Sequence, residues 1–175
     1  MAHRAPLIIA DYSDDWPRQF AAERNRLLAA LPTGFEVEHV GSTAVPDLAA
    51  KPIIDLMLGA ASLSDIEQVL PLLQGLGYDY RPEHEVALPE RRFLAWPMTR
   101  PRQFHLHAVE IGSPFWHDHL RFRDRLRADP ELAQHYAQLK RALAKRFDDD
   151  RAAYTEAKSG FIRDVLVGVV SEFGK

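Results

Sequence analysis

The chain contains no cysteine, which removes disulfide bridges, thiolate metal sites and a cysteine nucleophile from consideration. It has no apolar run near the roughly 20 residues that a membrane-spanning helix needs. Its start, residues 1–10, lacks the apolar segment and cleavage site of a signal peptide. It also lacks a positive excess. A net charge of -3 argues against a protein that holds nucleic acid through a general basic field, although arginines gather locally between Arg91 and Arg102 and between Arg121 and Arg127. There is no internal repeat and no low-complexity linker. What is left is a globular chain expected in the cytoplasm, away from membranes. Its 175 residues suit a single domain, 1–175, able to bury a core without covalent staples. Assembly into a homo-oligomer is left open.

Local patterns supply the elements. Asp14-Asp15-Trp16-Pro17 predicts a helix start with an acidic cap, and Pro32-Thr33-Gly34 its end. Alternation predicts a strand over 35–40, with Phe35, Val37 and His39 on one face. A polar connection follows over 41–51, with one helical turn expected after Pro46. The β-branched run 52–58 reads as a buried strand. Ser62 or Ser64 caps a helix with a stripe of Ile66, Val69, Leu70, Leu73 and Leu76. Strands are expected over 92–97 and 104–111, then helices over Pro114–Ala128, 130–147 and 151–173. The fold class is α/β (α+β): an antiparallel or mixed sheet flanked by helices, with a helical C-terminal third.

The residues able to carry chemistry concentrate between Glu38 and Asp55. Gly41 opens backbone geometries closed to other residues, so Ser42 and Thr43 can face an anion, with Lys51 at the far end of the loop. A tight turn capped by Ser42 explains the same residues. Asp55 interrupts an apolar strand, and an unpaired buried carboxylate is costly. It either pairs with a cation such as Lys51 or holds a metal. His105 and His107 project from one face of a strand, as ligands, phosphate donors, proton carriers or ordinary hydrogen-bonding groups. His117 and His119 read as surface or packing residues. Arg91 and Arg92 open a strand and suit bidentate anion recognition, with one of the two expected at the solvated surface. Tyr154 and Lys158 share a helix face.

The run Glu38-His39-Val40-Gly41-Ser42-Thr43-Ala44-Val45-Pro46, followed by Ala50-Lys51-Pro52-Ile53-Ile54-Asp55, closely resembles the GrpB family. Leu76-Gly77-Tyr78, His105-Leu106-His107, Phe122-Arg123-Asp124, Tyr136, Leu139-Lys140, Tyr154 and Lys158 extend the resemblance over nearly the whole chain. It implies a nucleotidyltransferase-like fold, in which a Gly-Ser turn, here Gly41-Ser42, holds phosphates and acidic strand residues, here Asp55, hold divalent metal. On that basis Asp55, His105 and His107 are the expected catalytic and metal-binding residues, with Mg²⁺ or Mn²⁺ as cofactor. Glu38, His39, Gly41, Ser42, Thr43, Lys51, Arg92, Tyr154 and Lys158 are the expected binding residues for a nucleotide or phosphorylated small molecule. The implied activity is nucleotidyl transfer, or phosphate binding without turnover. Two positions depart from the family pattern: Met57 replaces a second acid, and Asp47 stands where glycine is more usual.

Overall fold

A computed structural model describes residues 7–147 and 150–168. Five strands, β1 (Glu36–Val40), β2 (Ile54–Ala60), β3 (Asp79–Tyr80), β4 (Arg92–Trp96) and β5 (Phe104–Glu110), form one sheet in the order β1-β2-β5-β4-β3. The sheet is mixed. β2 runs parallel to β5, and the other pairs are antiparallel. The parallel pair needs a crossover, which α2 (Leu63–Gly75), β3 and β4 supply.

Strand alternation divides the side chains of β2 between two layers. Ile54, Leu56, Leu58 and Ala60 face α1 (Asp15–Ala30) and α2, where they join Leu27, Ile66, Leu73, Leu94 and Leu106 in the main core. Full burial of each such leucine stabilises the fold by about 1.5–3 kcal/mol. Asp55, Met57 and Gly59 point the other way. Met57 packs with Val40, Val109 and Trp116 under α3 (Pro114–Ala128), and any side chain at Gly59 would strike the Trp116 ring. Beyond α3 lie α4 (Pro130–Arg146) and α5 (Arg151–Val167), which pack through Leu126, Tyr136, Ala137 and Val165.

Helix starts follow local chemistry. Ser62, Ser113, Asp129 and Asp150 each accept a backbone N–H at the start of α2, α3, α4 and α5. At α1 the expected acidic cap is absent: Asp14 makes no side-chain cap bond, and the Ser13 hydroxyl accepts the Asp15 N–H at 3.2 Å. The helical turn expected after Pro46 lies before it, as a 3-10 turn over Ser42–Ala44. Asp47 instead takes φ 62°, the left-handed region that glycine, and less readily Asn or Asp, adopts. α5 stops at Val167, where Gly168 adopts φ 81°; the remainder of that expected helix, 169–173, lies outside the described residues.

Candidate functional site

Asp55 organises the site because its strand places it beside two others. In the β2–β5 register Asp55 lies opposite His105 and Met57 opposite His107, while in β1–β2 Val40 lies opposite Asp55. The next residue after β1, Gly41, has φ 71° and ψ -171°. A Cβ there would come within 2.6 Å of Asp55 Oδ2, so only glycine lets the turn close against the carboxylate. The other oxygen, Oδ1, lies 3.2 Å from His107 Nε2 and 3.6 Å from His105 Nδ1.

The proton positions at His107 follow from its neighbours. Arg91 Nη1 lies 3.2 Å from His107 Nδ1. A guanidinium only donates, so Nδ1 accepts and the neutral ring carries its proton on Nε2, which donates to Asp55. Burial lowers the His107 pKa to about 4, against the pull of Asp55. Burial alone would raise Asp55; the contacts from His105 and His107 outweigh it and hold the carboxyl well below its usual range.

Above this group opens a cavity of about 430 Å³ between the sheet and the C-terminal helices. Gly41, Ser42, Thr43, Lys51, Asp55, His105, His107, Tyr154 and Lys158 line it, so most of the expected residues do meet. Lys51 and Lys158 sit over the Tyr154 ring, at 4.4 Å and 4.3 Å from its centroid. A more open hollow of about 520 Å³ beside Leu7, Ile9, Arg141 and Lys145 contains none of the expected residues.

Three expected binding residues lie elsewhere. Glu38 accepts from Arg123 Nη1 at 2.6 Å. His39 is buried in a stack on Phe20, with its Nε2 2.9 Å from the Thr43 hydroxyl. Burial lowers its pKa to about 4, so it is a neutral structural group. Arg92 faces α2 because of strand alternation, bonding Glu67 at 2.5 Å and the Pro89 carbonyl at 2.8 Å. Arg91, one residue earlier, reaches the site in its place.

Lys140, Tyr136 and His119 also line the cavity and were not expected there. Lys140, only 3% exposed, donates to the Ser42 hydroxyl at 2.8 Å and to the Ala49 carbonyl. Burial, with Lys158 and Arg141 adding to it, brings its pKa down to about 7; burial and Lys158 bring Lys51 to about 8. Lys158 is also lowered, by burial. His119 donates from Nδ1 to the Phe115 carbonyl at 2.8 Å and stacks on that ring. A readable signal existed for Lys140. It falls within the stripe Ala133, Tyr136, Ala137, Leu143 and Ala144, where a lysine is out of place.

The family model for GrpB protein matches residues 6–167. The chain belongs to the GrpB family. A UPF0157 protein of Streptomyces coelicolor is 37% identical over 95% of this chain and 83% of its own length. A dephospho-CoA kinase of Mycolicibacterium paratuberculosis is 32% identical over 92% of this chain, which spans only 45% of that protein. The crystal structure of GrpB from Enterococcus faecalis superposes with a TM-score of 0.83 at 32% identity, covering 92% of this chain and 96% of that one. A structure of the Cid1 poly(U) polymerase bound to MgATP has a TM-score of 0.57 at 14% identity, covering 84% of this chain and 50% of that one. That likeness shows the fold, which is nucleotidyltransferase-like.

The described residues do not offer the donor set that a resident Mg²⁺ requires. Mg²⁺ takes near-octahedral oxygen coordination, whereas Met57 is fully buried under Trp116 in the second acidic position. Both His107 nitrogens are engaged. Asp55, His105 and His107 do meet, but with His107 hydrogen-bonded to the carboxylate and His105 at 3.6 Å from it. Among the described residues no cluster of three or more His, Asp or Glu side chains is arranged to hold a metal ion. No helix among them is long and apolar enough to cross a membrane.

Proposed function

We propose that this GrpB chain binds a phosphorylated small molecule, a nucleotide being the leading class, and does so in the cytoplasm. One observation carries the reading: Lys51, Lys140 and Lys158 converge with Ser42 on one cavity, and among the described residues none of the three has a carboxylate within ion-pairing distance. Three arginines outside the cavity behave differently: Arg26, Arg92 and Arg123 are each tied to a carboxylate. Cations held in a partly buried cavity at a cost to their own charging are compensated by an anion arriving from outside. Tyr136, Tyr154, Phe122 and Ile162 give the cavity an apolar wall for the rest of the ligand. The dephospho-CoA kinase relative and the fold shared with a polymerase that binds MgATP support the nucleotide class.

Melting temperatures across a panel of nucleosides, nucleotides and inorganic phosphates test the reading. Nucleoside di- and triphosphates are expected to raise the melting temperature and nucleosides to leave it unchanged; ligand at a hundredfold its Kd stabilises by about 2.7 kcal/mol. Lys140→Met and Lys158→Met should each remove the shift. If no phosphorylated compound moves the transition, the reading fails. Nucleotidyl transfer is the second reading, favoured by Asp55 facing the same cavity from the strand next to the Gly41-Ser42 turn. Release of pyrophosphate from a nucleoside triphosphate, lost in Asp55→Ala, would carry it.

A further inference from the structure

The side chains around Asp55 do more than leave a metal site incomplete. On one side His107 donates to Oδ1 and is itself fixed by Arg91. On the other, Oδ2 lies against Gly41, where even one added carbon would be too close. Met57, two residues after Asp55 on the same strand face, is sealed beneath Trp116. The positive groups come from other elements, the 41–51 loop, α4 and α5. The cavity therefore offers ammonium and hydroxyl donors to a phosphate chain, and to a cation travelling with it only the carboxylates of Asp55 on β2 and Asp118 on α3.

We propose that the cavity takes a polyphosphate ligand as the free anion and discriminates against its magnesium complex. This rests on the phosphate reading above and adds to it the chemical form of the ligand. Magnesium cancels two of the negative charges that Lys51, Lys140 and Lys158 recognise, and it brings a hydrated dication that proteins usually hold through one or two carboxylates besides the phosphates. Asp55 faces the cavity with about a third of its side chain exposed. Asp118 also lines the cavity, on α3 beside His119. Without a second ligand on β2, Asp55 contributes only repulsion toward the bound anion.

Binding of inorganic tripolyphosphate, followed by calorimetry and by melting temperature in EDTA and in excess Mg²⁺ at matched ionic strength, tests this. The expected result is binding in EDTA that weakens roughly threefold to tenfold on adding Mg²⁺, as charge recognition demands. In Asp55→Asn, which keeps an acceptor for His107, affinity in EDTA should rise. Binding that Mg²⁺ leaves unchanged or tightens, or that Asp55→Asn weakens, overturns the inference and leaves the phosphate reading standing. Absence of binding under both conditions overturns the two together. A melting transition of Asp55→Asn equal to that of the unaltered chain without ligand shows that its fold is intact.

Discussion

At the scale of single residues, Gly41 is where backbone geometry and chemistry meet. Its positive φ and its contact with Asp55 both exclude a side chain. Gly41→Ala is expected to lower stability by about 1–3 kcal/mol, the cost of a strained non-glycine conformation. It should also weaken anion binding by shifting the adjoining Ser42 hydroxyl, which lines the cavity. Urea denaturation of the two proteins checks the first, and an unchanged midpoint would contradict it. Residue pattern joined to the family resemblance named Gly41, Ser42, Lys51, Asp55, Tyr154 and Lys158, all of which line the cavity. It chose Arg92 over Arg91, since a basic pair at a strand start gives no sign of which face each residue takes. The register with β5 decides that: Arg92 lies opposite Ala108 on the α2 side, and Arg91 precedes the strand and turns toward His107. His39 illustrates the same limit, because its partners Phe20 and Thr43 come from separate segments.

Among the elements, α3 is packed on the sheet through Trp116 and hydrogen-bonded to β1 through Arg123. Arg123 donates to Glu38 Oε2 at 2.6 Å and to the His39 carbonyl at 3.1 Å, linking α3 to the last turns of β1. Removing a charged donor from partly buried acceptors costs about 1–3 kcal/mol. Arg123→Ala should therefore destabilise by that order in urea denaturation, whereas Arg18→Ala, whose pair with Asp15 is exposed, should change little. Element boundaries were readable where a proline or a serine punctuates the chain: α3 falls on Pro114–Ala128 as expected, and β4 and β5 end within a residue of their predicted limits. β2 begins and ends two residues later than its apolar run suggests, because pairing with β1 and β5, rather than hydrophobicity, sets its ends. Strand order came from long-range pairing, which no local window contains.

For the whole molecule, buried ionisable groups set the dependence on pH. His39 and His107 have folded pKa values lowered from 6.5 to about 4, so both are neutral in the native state and charged in the unfolded chain between those limits. Their contribution is complete above pH 6.5 and is lost as pH falls toward 4, at up to about 1.4 kcal/mol per unit for each group. Asp55, lowered from its usual value, extends the loss to still more acidic solution. Lys140 and Lys51 act over another range. Lowered from 10.5 to about 7 and about 8, they make the ligand-free protein less stable near neutrality than at mildly alkaline pH. Above the ordinary tyrosine value of 10 the buried phenols of Tyr136 and Tyr154, both raised by burial, reverse the gain. Unfolding free energies measured across this range should fall on both sides of a mildly alkaline maximum; a flat profile would contradict these assignments.

The direct pairing of β2 with β5 has a consequence for engineering. Everything between these two strands makes an outward excursion that returns to the same register. Its outermost stretch, Pro82–Val86, ends at a residue that is 92% exposed. Because closing a longer loop adds only slowly to the entropic cost, a reporter peptide spliced in after Val86 would lengthen the detour while the carboxylate and imidazoles stayed side by side. The sheet's midline serves as a fixed hub, and its far margin as an attachment point.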